Sequence, residues 1–164
     1  MAVDMFLKFA DAAAINGESK DKKHGGEIDV LAWSWGMSNS GSAQSGGGAG
    51  SGKVNVQDLS CTKWTDKATV NLQLACATGA HIDSATLTVR KAGGKGPVEY
   101  IIINMTEVMI TSISGGGSGG EDRLTENISL NFAKVDFQYT PQKDDGTPDT
   151  AINFKFDIAG NAQE

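Results

Sequence analysis

The sequence predicts a mainly β protein, an antiparallel β-barrel or sandwich with one flanking α-helix. Three observations predict this class. Many short stretches alternate apolar and polar residues, only one stretch has helical spacing, and turn-rich segments such as 93–97 and 141–148 separate them. We expect the 164 residues to form one domain, 1–164, because a domain usually has roughly 100–200 residues.

The strand predictions rest on a two-residue period, which places alternate side chains on opposite faces of a sheet. Residues 3–9 alternate in this way. Residues 28–35 are apolar on both faces, which predicts a strand buried on two sides. Residues 98–105 form a nearly continuous apolar tract, as a central strand does. Further strand-like stretches lie at 54–57, 85–89, 108–110 and 152–158.

One predicted strand changes the phase of its alternation. Its apolar residues are even-numbered in 128–132 and odd-numbered in 135–139. A strand of fixed register cannot place both sets on one face. A β-bulge or sharp bend near Ala133–Lys134 would reconcile them.

The single predicted helix covers the stretch around residues 70–76. Asp66 is expected at its N-cap, because an aspartate side chain accepts hydrogen bonds from free backbone N–H groups. Gly79 stands where a left-handed residue ends a helix.

The net charge argues against one class of partner, and the distribution of apolar residues argues against another. Lys and Arg number 14 against 20 Asp and Glu, a net charge of −6, so a cationic nucleic-acid binder is not expected. No stretch approaches the roughly 20 apolar residues of a membrane helix, so no membrane insertion is expected.

Two features predict the compartment in which the protein is made. Asp4 stands where a signal peptide would carry positive charge, so no signal peptide is expected. Cys61 and Cys76 are too few for a disulfide scaffold and are expected to be free thiols in a reducing compartment.

The glycine-rich motifs do not predict a cofactor site. Gly47–Lys53 resembles a phosphate-binding loop, but Val54 replaces the Ser or Thr that would bind Mg²⁺, and a strand follows. Gly115–Gly120 matches two loose motifs without a following helix. His24 and His81, the two histidines, lack the companions of a metal site. We therefore expect no cofactor, no metal and no catalytic residues.

The stretch Trp33–Trp35 contains the first candidate site residues. Trp33 and Trp35 share one face of a strand, where they either pack in the core or anchor a subunit interface. Ser34 points to the opposite face, which is either packed on a sheet or lines a cavity.

The segment Met37–Ser51 is a long loop without charged residues. Its fifteen residues exceed the usual loop length, which indicates a functional or disordered segment. Folded back as a hairpin it reaches about 20–25 Å, which suits contact with another subunit. The candidate contact residues in it are Met37, Ser38, Asn39, Ser42, Gln44, Ser45 and Ser51.

Five segments together resemble the haemolysin-coregulated protein (Hcp) family of bacterial type VI secretion. The motifs LAWSWGMS and EDRLTE…NFAKV…Y are the most specific of them. The chain departs from the family pattern in a longer link at Ala10–Asn16 and in Phe156, where many members have tryptophan. The matching segments are Met1–Phe9, Gly17–Ser38, Gly52–Lys67, Leu87–Tyr100 and Gly116–Lys143.

The resemblance implies a β-barrel-like subunit, similar to a phage tail-tube protein, that forms hexameric rings. Rings stack into a hollow tube, which a contractile sheath expels behind a valine-glycine repeat spike protein. Effector proteins ride in the ring lumen, which Ser34 is expected to face. Family members reach the extracellular medium or a target cell from the bacterial cytoplasm without a signal peptide, and most are not enzymes.

One alternative remains open from the residues themselves. A monomeric β-barrel that binds a small ligand or a carbohydrate would have the same strand pattern. It would have a closed apolar pocket and the mass of one chain, whereas a ring would have the mass of six.

Overall fold

The computed structural model describes residues 3–41 and 52–164. The described residues form ten strands, one α-helix and a short 3₁₀ turn at Asp11–Ala13. The helix α1 is Thr69–Thr78. The strands are β1 Val3–Phe9, β2 Ile28–Ser34, β3 Met37–Ser38, β4 Asn55–Val56, β5 Leu59–Trp64, β6 Ile82–Lys91, β7 Val98–Gly115, β8 Thr125–Tyr139, β9 Ile152–Asp157 and β10 Ala162–Gln163.

Six of the strands close into an antiparallel barrel in the order β8-β5-β2-β1-β6-β7, with β7 pairing back onto β8. β9 extends the sheet outward from β8, and β10 pairs with β9. β3 and β4 form a separate two-stranded ribbon. The predicted class, a mainly β barrel with one helix, is confirmed, and closure distinguishes the barrel from a sandwich. No helix among the described residues could cross a membrane, since none is both long and apolar enough.

The core lies inside the barrel, and alternate apolar side chains of each strand point into it. Burying a leucine or isoleucine side chain contributes about 1.5–3 kcal/mol. The helix α1 packs against β7 and adds Leu72 and Ala75 to this core. Fully buried side chains from the six barrel strands include Leu7, Ile28, Leu59, Leu87, Ile103 and Leu130.

The predicted change of face in β8 is confirmed. Phe132 and Val135 are both buried, so the inward face switches between them. β7 switches at the same level, since Met105 and Val108 are both buried. The residue pairs between β7 and β8 have the same register before and after this switch. Both strands therefore bend together without a shift in their pairing. Glu107 absorbs the bend in β7 with a φ of 55°.

The prediction that Asp66 caps the helix is wrong. The helix begins at Thr69, and Ala68 precedes it without a side-chain cap. The Asp66 carboxylate instead binds Lys63 and accepts a hydrogen bond from the Ala68 N–H at 3.0 Å, inside the turn before the helix. Gly79 ends the helix at a φ of 64°, as predicted.

Two further predictions, one for a strand and one for a loop, also need correction. The strand β2 is not buried on both sides, because a register shift between Val30 and Ala32 exposes Leu31 to 38%. The segment Met37–Ser51 does not begin as a loop, because Met37–Ser38 is strand β3. Its pairing with β4 makes the start of this segment one side of a hairpin.

Candidate functional site

The outer face of β2, β5, β8 and β7 carries a continuous patch of small uncharged side chains, which we call the polar sheet face. Directly opposed residues share a face of a sheet. The first row runs across the four strands as Ser34, Ser60, Ser129 and Ser112. The second row runs as Ala32, Thr62, Asn127 and Ser114.

Hydroxyl and amide groups on the polar sheet face bind one another across strands. Thr62 Oγ1 donates to Asn127 Oδ1 at 2.7 Å, and Ser112 Oγ donates to Ser129 Oγ at 2.8 Å. Such groups both donate and accept hydrogen bonds. The surface can therefore hold a polar partner without attracting or repelling charge.

A carboxylate lies at the margin of the polar sheet face. Asp58 precedes β5, and its two oxygens accept from Thr111 Oγ1 at 2.7 Å and from Asn131 Nδ2 at 2.9 Å. Thr111 lies at the register shift of β7. The bulge thus turns a hydroxyl toward this acidic group.

Two charged residues of β5 and β8, Lys63 and Glu126, point inward instead. Lys63 pairs with Val30 and with Glu126, one position along from the second row, so its side chain enters the barrel. It is 0% exposed. Its Nζ donates to the Trp64 carbonyl at 2.8 Å, to Asp66 Oδ1 at 2.9 Å and to Glu126 Oε1.

The helix joins this buried network through Thr69. Its Oγ1 donates to Glu126 Oε1 at 2.7 Å, so β5, β8 and the start of α1 share one cluster of charges and hydrogen bonds. The sequence interpretation missed this group. The signal was the alternation of Leu59, Cys61 and Lys63, which puts a lysine on the core face of β5.

Trp33 in β2 and Trp35, just after the strand ends, are half-buried and pack against the core. Trp35 Nε1 donates to the Gln57 carbonyl at 2.9 Å. Its ring lies 6.1 Å from that of Phe137 and 6.2 Å from that of Phe132. These contacts support the core-packing interpretation within one chain, and the interface role of the two rings stays a prediction.

The segment Met37–Ser51, which we call the arm, begins shortly after Ser34 in the sequence, but its described residues have different surroundings. Ser34 is exposed on the polar sheet face, opposite Ser60. At the base of the arm, Asn39 Nδ2 donates to the Gly52 carbonyl at 2.7 Å, next to the exposed Met37 and Ser38. The predicted contact residues Ser42, Gln44, Ser45 and Ser51 lie outside the described residues.

A shallow apolar groove lies between the base of the arm and β9. Its volume is about 330 Å³. The rings of Phe154 and Phe156 stack in it with centroids 5.9 Å apart. Met37, Val54 and Val56 line it from the side of the arm.

The remaining motifs fall into ordinary structure. Gly115–Gly120 ends β7 and leads to β8 through a turn, so it connects antiparallel strands and precedes no helix. Within residues 3–41 and 52–164, no three His, Cys, Asp or Glu side chains are grouped so that they could hold a metal ion. Cys61 is buried and Cys76 half-buried, and both are free thiols.

Solved structures that share this barrel place the chain among type VI secretion proteins. One described as a type six secretion system protein is 30% identical, with a TM-score of 0.91 over 99% of this chain and all of the other. Hcp1 from Salmonella typhimurium is 34% identical, with a TM-score of 0.81 over the full length of both. A type VI secretion system effector from Yersinia pestis is also 34% identical, with a TM-score of 0.75 over 94% of this chain and 99% of the other.

The family assignment follows from the sequence over nearly the whole chain. A family model described as "Type VI secretion system effector, Hcp" matches residues 6–139. Protein hcp1 from Pseudomonas aeruginosa is 62% identical over 164 residues, which cover 99% of each chain. The chain belongs to the Hcp family of type VI secretion proteins, as the sequence motifs predicted.

Proposed function

We propose that this protein is the tube subunit of a bacterial type VI secretion system. Six copies form a ring, rings stack into a hollow tube, and contraction of a surrounding sheath expels the tube behind a valine-glycine repeat spike protein. Effectors ride in the ring lumen. The observation that carries this proposal is full-length membership of the Hcp family, with the same barrel.

Exposed apolar side chains outside the barrel support association between copies. On β9, Ile152 is 64% exposed and Phe154 lies beside it on the same strand face. Met37 at the base of the arm is also exposed. Exposed apolar patches of this kind mark interaction surfaces, and a head-to-tail contact closes into a ring when its rotation allows.

The polar sheet face is the surface we assign to the lumen, with Ser34 in its first row. A channel wall must let different proteins pass without trapping them. Uncharged hydroxyl and amide groups hold cargo by individual hydrogen bonds, each with a net contribution of about 0.5–1.5 kcal/mol. Many weak contacts of this kind retain cargo and still release it.

The route of export follows from the same assignment. The subunit is made in the bacterial cytoplasm and leaves with the tube, without inserting in a membrane. We assign it no catalytic role, since its part is structural. Detection of the protein in the medium of cells with an intact sheath, and its absence when the sheath is deleted, tests this route.

The mass of the particle in solution tests ring formation. We expect six times the 17.1 kDa of one chain, and annular particles in electron micrographs of the same sample. The mass of a single chain would instead favour the alternative, a monomeric β-barrel that binds a small ligand or carbohydrate.

Replacing Ser34 with arginine tests the lumen assignment. We expect rings of unchanged mass that no longer co-purify with an effector co-expressed from the same secretion system, because a long cation fills the polar sheet face. The matched control is Ser84→Arg on β6, an exposed serine outside the two rows. Equal effector retention by Ser34→Arg and the control would refute the assignment of Ser34 to the lumen.

A further inference from the structure

The segment 15–27 covers part of the outer surface of the barrel, and we call it the strap. Phe6 lies on the outer side of β1, between the core residues Met5 and Leu7, yet it is only 4% exposed. Arg90 on the neighbouring strand β6 is also buried. Both are covered because strap residues pack on them.

His24 is the central contact between the strap and the barrel. Its ring stacks on Phe6 with centroids 4.4 Å apart. Its Nδ1 lies 2.8 Å from Glu27 Oε2, at the end of the strap. Its Nε2 lies 2.7 Å from Glu99 Oε1, on β7. The ring therefore bridges two carboxylates from separate parts of the chain.

The short distances from the two ring nitrogens of His24 to Glu27 and Glu99 determine how many protons the ring must carry. A neutral imidazole has one N–H, so it can donate to one carboxylate only. Its other nitrogen would then present a lone pair to a carboxylate oxygen, and the contact would be repulsive. Only the imidazolium ring donates to Glu27 and Glu99 at once.

We propose that His24 is a protonation-dependent latch that holds the strap on the barrel through Glu27 and Glu99. The latch is closed while the ring carries both protons. It loosens when the ring loses the second proton, because one of the two carboxylates then loses its donor. This device does not depend on the tube function proposed above.

The charges around the ring come from every element packed against it. Arg90 Nη2 binds Asp21 Oδ2 at 2.6 Å and Asp4 Oδ2 at 3.0 Å. The charged groups facing the latch are Asp21 and Glu27 on the strap, Asp4 on β1, Arg90 on β6 and Glu99 on β7. Asp21 and Asp4 thus bind the guanidinium of Arg90, and Glu27 and Glu99 bind the ring of His24, where a cationic ring offsets part of their charge.

The Asp21–Arg90 contact does not change in the pH range of the latch. The Arg90 hydrogen bond, with those from the backbone N–H groups of Lys23 and His24, holds the pKa of Asp21 well below its usual range. The carboxylate stays ionised wherever a histidine titrates.

Labelling of histidine with ¹⁵N tests the protonation directly, since the chain has only two histidines. We expect two ring N–H signals from His24 at pH 7 in the intact protein, assigned by their persistence in His81→Gln. A single ring N–H from His24 at pH 7 would overturn the proposal. This measurement requires no change at the latch itself.

Trypsin tests the opening of the strap, because Lys20, Lys22 and Lys23 are exposed on it. Relative to a peptide of the same sequence, we expect cleavage there to increase about tenfold from pH 6.5 to pH 9, as one charge-assisted hydrogen bond is lost.

Glu99→Gln separates the latch from a general effect of pH. An amide can donate to a neutral ring or accept from it, so cleavage of this variant should not change with pH beyond the peptide. The exposed His81→Gln is the matched control and should follow the wild type. The same pH dependence in Glu99→Gln as in the wild type would refute the latch.

Discussion

The buried Lys63 cluster allows a sharp test of how the helix is tied to the barrel. Lys63→Met keeps an unbranched side chain that is one atom shorter and removes the charge. Glu126 and Asp66, both with side chains buried beside Lys63, then lose the cation that binds them among residues 3–41 and 52–164. Removing one partner of a buried ion pair usually costs about 3–5 kcal/mol, because the other charge stays buried without compensation.

We expect the free energy of unfolding to fall by about 3–5 kcal/mol in Lys63→Met. The charge on Glu126 can be removed separately with Glu126→Gln. We expect the double variant Lys63→Met/Glu126→Gln to lose less than the sum of the single variants, because the uncompensated carboxylate at 126 is then absent. The coupling between the two changes reports their interaction in the folded protein.

Guanidinium unfolding followed by tryptophan fluorescence measures these changes, since Trp64 lies next to Lys63. All variants are compared at one protein concentration, so that association affects them equally. The matched control is Lys134→Met, which removes a lysine from an exposed pair with Glu164 at 3.1 Å. It should leave the midpoint unchanged. A Lys63→Met midpoint no lower than that of the control would refute the reasoning.

Three further predictions concern other parts of the molecule. Burial raises the pKa of the Cys61 thiol to about 12 from 9.0; the unfolded state therefore ionises first, and stability should fall by up to about 1.4 kcal/mol per pH unit above pH 9. Cys61→Ala should show a shallower fall in the same denaturation series, and parallel curves would count against this. Gly79→Ala should destabilise the protein by about 1 kcal/mol, since alanine resists the positive φ that ends the helix; an unchanged unfolding midpoint would contradict it. Deleting residues 43–50 should leave rings of normal mass that form few stacked filaments in electron micrographs, and filaments of wild-type length would exclude the arm from ring stacking.

Much of the local structure could be predicted from the sequence, because it depends on neighbours a few residues apart. The two-residue alternation predicted the strands. The change from even-numbered to odd-numbered apolar residues along β8 predicted the bend near Ala133. Gly79 marked the end of the helix because glycine, which has no side chain, adopts the left-handed conformation found there without steric cost. The start was misplaced because Asp66, a good cap by type, is bound by Lys63.

The sequence predicted the face of β2 to which Ser34 points, but not which residues of other strands share that face. Alternation placed Ser34 opposite Trp33 and Trp35, and the structure agrees. It did not place Ser129 and Ser112 beside Ser34, since these residues lie on strands far along the chain. The register of four strands aligns them in one row.

The sequence by itself determined which residues of each strand share a face, and the family to which the chain belongs. The tertiary structure alone decided which strands meet: that β7 closes on β8, that Lys63 finds Glu126, and that His24 lies between Glu27 and Glu99. The physical reason is that a period of two fixes the orientation of side chains locally. Pairing between distant strands depends instead on how the whole chain buries its apolar faces at once.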